Sequence, residues 1–207
     1  MEKRDFDKAA ESYDLKPGRL KLAQDVAKAI INEVNLSGDM DVLDFGCGTG
    51  LVTLQLQPRV RTITGVDSSH GMLDVLKSKI KEQNMINVKT EFIDMEKGDT
   101  LKGNFHLIIS SMTLHHIQDL EYLLRQFYNC LLPGGVLCIA DLDSDGGEFH
   151  SDQTGVVHAG FERSDFRRLF NRCGFHGLRD VTVARVVKEL SDGRVQEFTV
   201  FLMIGRK

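Results

Sequence analysis

Glycine and aspartate residues stand at the ends of three predicted strands. Residues 46–50 carry glycine at alternate positions, directly after an apolar run at 42–45 and before a helical pattern. Such a turn lets the backbone approach a ligand closely at a helix N-terminus. Asp67 ends the next strand, at roughly the 20-residue distance where a carboxylate can accept hydrogen bonds from both hydroxyls of a ribose. Asp94 ends the third strand, where it is placed to accept from the exocyclic amine of adenine. Together these features indicate a nucleoside site.

Each feature taken alone has a structural explanation. A glycine-rich segment can be a tight turn, and an aspartate at a strand end can cap the following helix. Their occurrence at three consecutive strand ends favours a binding site. A nicotinamide dinucleotide is disfavoured, because the third glycine of the G-x-G-x-x-G pattern would fall at Leu51.

Three histidines and one aspartate near the ends of later strands are able to take up a proton. His115 and His116 follow the fourth predicted strand. Asp141 ends the fifth strand, and His158 precedes a Gly-Phe pair. We expect all four at the carboxyl edge of the sheet, where ligands of open α/β folds bind. They are the candidate catalytic residues, and a packing or capping role is the alternative for each.

The hydrophobic pattern alternates between strands and helices. Strand patterns cover residues 40–45, 61–66, 88–93, 105–110, 136–140, 181–187 and 195–204, and helical patterns cover 18–35, 51–57, 70–84, 120–131 and 165–173. Such alternation implies βαβ units, and therefore a mostly parallel sheet with helices on both faces. The last two strands differ, because the Asp192-Gly193 turn signal between them predicts an antiparallel hairpin.

Composition describes an ordinary globular chain. With 207 residues, 42% hydrophobic and 27% charged, the chain corresponds to one domain and is not intrinsically disordered. A formal net charge of −4 disfavours a nucleic-acid or membrane-surface partner. The charged segment 1–13 is unlike a signal peptide, and no apolar run is long enough to span a bilayer. The four cysteines form no C-x-x-C pair, so we expect a cytoplasmic protein with reduced thiols.

The sequence resembles the class I, S-adenosylmethionine-dependent methyltransferases over most of its length. The resemblance lies in VLDFGCGTG (42–50), GVDSSHGML (65–73), FIDME (92–96), FHLIISSMTLHHIQD (105–119), LLPGGVLCIAD (131–141) and HAGFERSDFRRLFNRCGF (158–175). It implies an α/β, Rossmann-like three-layer sandwich with a seven-stranded, mostly parallel sheet of order 3-2-1-4-5-7-6, strand 7 being antiparallel. It further implies one domain over 1–207, made of an N-terminal helical lid at 1–35 and a catalytic core at 36–207.

The resemblance also implies contacts to S-adenosylmethionine and its product S-adenosylhomocysteine. Around the methionine part it implies Asp44, Gly46 and Gly50, with Gly48 keeping the turn open and Ser110 offering its carbonyl to the ammonium. Around the adenosine part it implies Asp67, Ser68, Met72, Asp94 and Met95. Residues 6–14 resemble the lid of the small-molecule members, which places Tyr13 and Arg19 at the cofactor carboxylate.

The residues after the fourth strand exclude some classes of methyl acceptor. Residues 110–113 read Ser-Ser-Met-Thr, so the Asn/Asp-Pro-Pro-Tyr/Phe box of amino-group methyltransferases is absent, as is the Pro-Cys nucleophile of cytosine C5 enzymes. We expect a small-molecule acceptor, no nucleic acid or membrane, and a monomer or homodimer. A protein acceptor is the second choice. A non-catalytic, adenosylmethionine-binding or partner-activating subunit is the alternative from another functional class.

An acidic segment follows the fifth strand. Asp141, Asp143 and Asp145 with Asp152 satisfy most of a D-x-D-x-D-G calcium loop. Against calcium, Glu148 stands where an apolar residue is expected, and a strand precedes the segment instead of a helix. We therefore expect no metal. The segment is interpreted as a mobile, solvated loop that covers the acceptor and disfavours anionic acceptors.

Overall fold

A computed structural model describes residues 5–207. The strands are Asp41–Phe45 (β1), Thr62–Asp67 (β2), Val88–Phe92 (β3), Phe105–Ser111 (β4), Leu131–Leu142 (β5), His176–Glu189 (β6) and Val195–Arg206 (β7). The α-helices are Phe6–Tyr13 (α1), Pro17–Glu33 (α2), Thr53–Leu56 (α3), His70–Glu82 (α4), Leu120–Cys130 (α5) and Arg163–Arg172 (α6). Short 3₁₀ turns cover Gln57–Arg59, Met95–Lys97 and Leu114–His116.

The strands form one sheet in the order β3-β2-β1-β4-β5-β7-β6. The first five strands pair in parallel, and β7 runs antiparallel to both β5 and β6. The predicted seven-stranded, Rossmann-like sheet with an antiparallel strand 7 is thereby confirmed. Because the parallel strands all end at one edge, the segments that follow them meet there.

The β6–β7 hairpin is longer than its local pattern predicts. The pattern indicated residues 181–187, whereas β6 covers 176–189. Arg185 of β6 pairs with Thr199 of β7, while the pairing of β5 with β7 ends at Leu142. Residues 185–199, called the hairpin tip below, therefore extend past the end of β5. Pairing between the two strands sets this length, and the hydrophobic period of β6 alone does not show it.

Apolar residues cover both faces of the sheet. On one face, the α5 residue Phe127 and the α6 residue Phe170 are fully buried in the same cluster as Phe201 of β7. On the other face, Val26 and Ile30 of α2 are buried in a second cluster with strand residues. Both helices carry their apolar residues at helical spacing on one side. The two layers hold the strands, and with them the strand ends that form the site.

The N-terminal helix α1 is held across the carboxyl edge by polar contacts. Asp7 Oδ1 accepts a hydrogen bond from Ser69 Oγ at 2.5 Å and from the Gly71 N–H at 2.8 Å, at the start of α4. After α1, Asp14 accepts from Thr49 Oγ1 at 2.6 Å and lies 2.5 Å from Lys79 Nζ. The segment predicted as a lid is therefore latched to both the glycine turn and α4.

The first four residues of the predicted lid lie outside the described part of the chain, and the division at residue 35 stays a prediction. Among residues 5–207, no helix combines the length and the apolar character that crossing a membrane requires.

Candidate functional site

The turn after β1 is built from glycines with positive φ. Gly46 has a φ of +71° and Gly48 one of +55°, which residues with side chains rarely adopt. A Cβ on Gly46 would lie 2.2 Å from Thr113 Oγ1, so glycine permits the segment after β4 to approach the turn. A Cβ on Gly48 would meet nothing within 4 Å. The turn thus presents bare backbone to open space at Gly48.

Asp67, at the end of β2, is bonded to this turn. Its Oδ2 accepts from the Gly48 N–H at 2.8 Å, and its Oδ1 accepts from the Ser69 N–H at 2.9 Å. Burial raises the pKa of Asp67, and the backbone N–H groups offset this only in part. The carboxylate fixes the glycine turn relative to the start of α4.

Asp44, within β1, is a second carboxyl beside the turn, and unlike Asp67 it is fully buried. Its Oδ2 accepts a hydrogen bond from Thr53 Oγ1 at 2.5 Å. Burial raises the pKa of Asp44 to about 7; the Thr53 hydroxyl lowers it in part, and the charge of Asp67 raises it. A cation placed beside Asp44 would favour its ionised form.

Asp94 follows β3 and caps the 3₁₀ turn that comes next. Its Oδ1 accepts from the Glu96 N–H at 3.2 Å, and its Oδ2 lies 3.2 Å from Lys97 Nζ. The side chain is buried, yet it reaches the wall of a cavity together with Met95. The capping role therefore coexists with a position at the site.

Two adjoining cavities open at this edge of the sheet. The first, of about 490 Å³, is called the β2–β3 cavity; its walls include Asp67, Ser68, Met72, Asp94 and Met95. The second, of about 470 Å³, is called the β5–β6 cavity; its walls include Arg19, Asp44, His115, His150 and Lys188. Both are also lined by Phe6, Tyr13, Gly46, Gly48, Ser111, Met112 and His116. A ligand can therefore extend from one cavity into the other past the glycine turn.

A buried histidine–aspartate pair lies in the wall of the β5–β6 cavity. His115 Nδ1 and Asp141 Oδ1 are 2.7 Å apart, and the two side chains are 1% and 0% exposed. Asp141 also accepts from the Leu114 N–H at 3.0 Å and from the Leu142 N–H at 2.8 Å. Burial by itself raises the pKa of Asp141, but the charge and hydrogen bond of His115 and the backbone N–H groups together hold it below its usual range. With Nδ1 held by Asp141, Nε2 is the ring nitrogen left for a ligand.

Comparison with known proteins finds similar methyltransferases. The chain matches the model of a family described as a methyltransferase domain over residues 42–135, which contain the glycine turn, Asp67, Asp94 and His115. It is 38% identical over 155 residues to trans-aconitate 2-methyltransferase of Deinococcus radiodurans, an alignment covering 73% of this chain and 56% of that protein. Residues 42–135 match a methyltransferase domain, and the findings support a class I, Rossmann-like, S-adenosylmethionine-dependent methyltransferase.

Two further similarities agree with this assignment. An uncharacterized methyltransferase of Schizosaccharomyces pombe is 28% identical over 196 residues, covering 87% of this chain and 69% of that protein. The crystal structure of YcgJ from Bacillus subtilis has a TM-score of 0.75 at 17% identity, covering 89% of this chain and 98% of the other, which shows the shared fold. The chain thus spans between 56% and 69% of the length of these two curated relatives.

The residues at the carboxyl edge fit the cofactor of this methyltransferase family. The open space at Gly48 admits a ligand next to the backbone, and Asp67 brings a carboxylate to the adjoining cavity wall. The adjoining volumes suit a nucleoside joined to an amino acid. The buried carboxyl of Asp44, with its raised pKa, suits a ligand that carries positive charge, as a sulfonium with an ammonium does.

Most predicted cofactor residues line these cavities, and two do not. In the walls lie Tyr13, Arg19, Asp44, Gly46, Gly48, Asp67, Ser68, Met72, Asp94 and Met95. Gly50 lines neither cavity; a Cβ there would lie 2.4 Å from Leu76 Cδ1, so this glycine serves the packing of α4. Ser110 also lines neither, because its side chain is buried and donates to the Phe45 carbonyl at 2.8 Å. The next residues, Ser111 and Met112, occupy the walls instead.

Of the four candidate catalytic residues, two line the cavities and two do not. His115 lines the β5–β6 cavity, and His116 lines both cavities while its Nδ1 lies 2.7 Å from the Gly155 carbonyl oxygen. Asp141 lies behind His115 and lines neither cavity, so it is placed to orient the imidazole and not to touch a substrate. His158 lines neither cavity, because its Nε2 is bonded to the Ile117 carbonyl at 2.9 Å. The structure therefore places His158 outside both cavities.

Asp141 and Asp143 do not lie in a solvated loop as the sequence indicated, whereas Asp152 of the same acidic segment is exposed. Asp141 is fully buried within β5. Asp143 makes a two-point ion pair with Arg163, with both oxygen–nitrogen distances at 2.6 Å, and accepts from Thr199 Oγ1 at 2.6 Å. Asp145 accepts from the backbone N–H groups of Gly147 and Phe149 at 2.8 and 2.9 Å. Within residues 5–207, no group of three or more His, Cys, Asp or Glu side chains is arranged to hold a metal ion.

Several wall residues escaped sequence reasoning. They are Leu22 and Ala23 of α2 and the β6 residues Val186 and Lys188, which line the β5–β6 cavity together with residues 149–152 of the acidic segment that was predicted to cover the acceptor. The sequence showed the apolar face of α2, but it did not show that this face lines the cavity. No feature of the sequence predicted Lys188 at the cavity, because its position depends on the length of the hairpin tip.

Proposed function

We propose that this methyltransferase transfers a methyl group to a small-molecule acceptor bound in the β5–β6 cavity. The observation that carries this is the buried His115–Asp141 pair in the wall of a cavity that adjoins the glycine turn and Asp67. The limited volume supports a small acceptor, and α1 latched over the edge supports an enclosed reaction. The name of the Deinococcus radiodurans relative, trans-aconitate 2-methyltransferase, points to the same class of acceptor.

In this proposal the cofactor lies across both cavities. Asp67, Ser68, Met72, Asp94 and Met95 hold the adenosine part, and Asp44, Gly46 and Gly48 with Tyr13 and Arg19 hold the methionine part. S-adenosylmethionine supplies, when bound, a methyl group on a sulfonium that needs no further activation. The chain must therefore place the acceptor in line with that group, and such positioning contributes ~7–11 kcal/mol.

His115 and Asp141 supply the remaining chemistry in this proposal. Asp141 accepts the Nδ1–H of His115, so Nε2 is the nitrogen that exchanges a proton with the acceptor, and the carboxylate stabilises the imidazolium that forms. A base at this place takes the proton that a hydroxyl, thiol or ammonium acceptor must lose, which is worth about 10²–10⁴-fold in rate. His116, which lines both cavities, lies with its ring centroid 4.1 Å from that of His115 and positions the acceptor.

Binding and turnover are tested separately. Calorimetry with S-adenosylhomocysteine should show tight binding that Asp67→Ala weakens by about 1.5–3 kcal/mol, the range for a lost charge-assisted hydrogen bond. The matched control is Asp74→Ala, an exposed aspartate on α4, which should bind as the wild type does. Unchanged affinity in Asp67→Ala would remove this residue from the cofactor site.

Turnover is measured with labelled S-adenosylmethionine and a cell extract divided by ultrafiltration. Label in the small-molecule fraction supports the proposal, and label in the protein fraction favours a protein methyltransferase. Cofactor binding without labelling of either fraction would favour the non-catalytic subunit. The His115→Gln variant should bind the cofactor normally and transfer label at least about tenfold more slowly.

A further inference from the structure

One residue of the site has a backbone conformation that its side chain disfavours. Met112, directly after β4, has a φ of +55°. Within residues 5–207, the other non-glycine residue with a positive φ is Asn84, at +52°. Asn84 follows the C-cap of α4 in a Schellman motif, with the Met85 N–H bonded to the Ile80 carbonyl, and a left-handed asparagine is common at such a helix end. Met112 follows a strand, so a helix end does not account for its conformation.

Hydrogen bonds on both sides hold Met112 in this conformation. Its N–H donates to the Ala140 carbonyl at 2.8 Å, which ties it to β5. The Ser111 carbonyl accepts from Thr113 Oγ1 at 3.1 Å, and the Thr113 carbonyl accepts from the His116 N–H at 3.0 Å. A left-handed backbone is unfavourable for a residue with a Cβ, and it persists here because the bonded neighbours determine it.

The bend at Met112 carries the chain out of the sheet and into the turn that bears His115. Ser111 is the last residue of β4 to pair with β5. The 3₁₀ turn begins two residues after Met112, and its N–H groups at Leu114 and His115 donate to Asp141 Oδ2. Glycine or asparagine would adopt the left-handed conformation of this bend more readily than methionine does. The backbone path alone therefore does not explain a methionine at this position.

The side chain of Met112 belongs to an apolar part of the β5–β6 cavity. Met112, Leu22 of α2 and Phe149 are partly buried, and all three pack against the second hydrophobic cluster, which includes α2. All three line the β5–β6 cavity, and Met112 also lines the β2–β3 cavity. Met112 thus lies where the two cavities adjoin. Its unbranched, polarizable side chain can adapt to the shape of an apolar surface.

We propose that Met112 is a specificity-determining residue, whose side chain packs against an apolar part of the acceptor beside the atom that receives the methyl group. The proposal rests on the proposed function, because it takes the β5–β6 cavity as the acceptor site. The sulfonium joins the adenosine part of the cofactor to the methionine part, so in that function it lies where the two cavities adjoin. An acceptor with a hydrocarbon or aromatic group at this place is favoured, since a polar group buried there without a hydrogen bond costs free energy.

Urea denaturation of paired variants tests the strained conformation. At an ordinary position an alanine variant is more stable than a glycine variant, whereas at a left-handed position the order is reversed. Met112→Gly should therefore unfold at a higher urea concentration than Met112→Ala. The matched control is Met85, a partly buried methionine that packs against the same cluster and lines neither cavity. There the alanine variant should be the more stable of the two.

Transfer and binding measurements test the side chain. Met112→Leu keeps an apolar side chain of similar volume, so it should retain most of the transfer of label from S-adenosylmethionine to the small-molecule fraction of a cell extract. Met112→Ala and Met112→Gln should transfer label at least about tenfold more slowly, because one loses the apolar contact and the other places an amide there. Affinity for S-adenosylhomocysteine should fall less than the rate does in each variant, which also shows that the variants are folded.

Two results would overturn the proposal while leaving the methyltransferase assignment intact. One is that Met112→Ala and Met112→Gln transfer label as fast as the wild type, which would limit Met112 to forming the bend. The other is that Met112→Ala unfolds at a higher urea concentration than Met112→Gly, which would show that the position is not left-handed. Failure of the wild-type protein to bind S-adenosylhomocysteine, or to label any small molecule, would instead contradict the proposed function.

Discussion

The buried carboxyl of Asp44 makes stability depend on pH in a direction that can be measured. Its pKa is 3.8 in a model compound and about 7 in the folded protein, where burial opposes ionisation more strongly than the Thr53 hydroxyl favours it. Between these values the unfolded chain releases a proton that the folded protein retains. The folded state then binds more protons, so the free energy of unfolding falls as the pH rises through this window.

The size of the effect follows from the two pKa values. This pKa difference lowers the free energy of unfolding by at most ~4 kcal/mol above pH 7. About 2–3 kcal/mol of that loss occurs between pH 5 and pH 8. Asp44→Asn removes the titrating group and keeps an oxygen that can accept from Thr53. The difference in unfolding free energy between variant and wild type should therefore grow in favour of the variant by about 2–3 kcal/mol from pH 5 to pH 8.

Urea denaturation at four pH values measures this difference. Circular dichroism is the suitable signal, because the chain contains no tryptophan. Asp74→Asn, at an exposed aspartate, controls for a general change of net charge. If the stabilities of wild type and Asp44→Asn run parallel from pH 5 to pH 8, the carboxyl is ionised in the fold and the reasoning fails.

The same residue links the pH to cofactor binding. If the ammonium of the cofactor lies beside Asp44, as proposed, binding favours the carboxylate and expels its proton. Calorimetry in buffers of different ionisation enthalpy should then detect release of close to one proton at pH 6 and very little at pH 8. Asp44→Asn should abolish the release, and a wild-type protein that releases none at pH 6 would separate Asp44 from the ammonium.

Four other predictions concern the remaining parts of the molecule. Asp141→Asn should lower kcat by about 10²-fold or more while KM changes little, whereas a purely structural role would lower the melting temperature without this split. Hydrogen exchange in α1 should slow when S-adenosylhomocysteine binds, and Asp7→Ala should weaken that protection; equal exchange with and without ligand would contradict a closing lid. Phe127→Ala should destabilise the fold by about 3–5 kcal/mol in urea, since its ring is fully buried. Millimolar calcium should not raise the melting temperature, because Arg163 holds Asp143; a rise of several degrees that Asp143→Asn abolishes would refute this.

The sequence alone predicted the sheet and much of the wall of the cofactor site, because the residues concerned lie next to the strands in the sequence. Asp67 and Asp94 stand directly after short apolar strands, so their placement at the carboxyl edge follows once the strands are parallel. The prediction of a solvated acidic segment was wrong for Asp141, because the sequence pattern did not show that β5 continues through Leu142 and buries this residue. Lys188 was missed for a related reason, since only the pairing of β6 with β7 carries it to the cavity.

Three carboxyl groups of the site, the buried Asp44 and Asp141 and the half-buried Asp67, differ in what compensates their charge. Asp141 has a histidine as its partner, and its pKa is held below the usual range despite burial. Asp44 and Asp67 accept hydrogen bonds from a hydroxyl and from backbone N–H groups, and burial raises the pKa of both. Neither of them forms an ion pair with a lysine or arginine in the part of the chain that the structure describes. A buried acid without a cation is costly unless a ligand brings one. The pair at β5 is thus complete within the protein and suited to act on a proton. In the proposed function, Asp44 is compensated by the ammonium of the bound cofactor, and Asp67 accepts hydrogen bonds from the ribose.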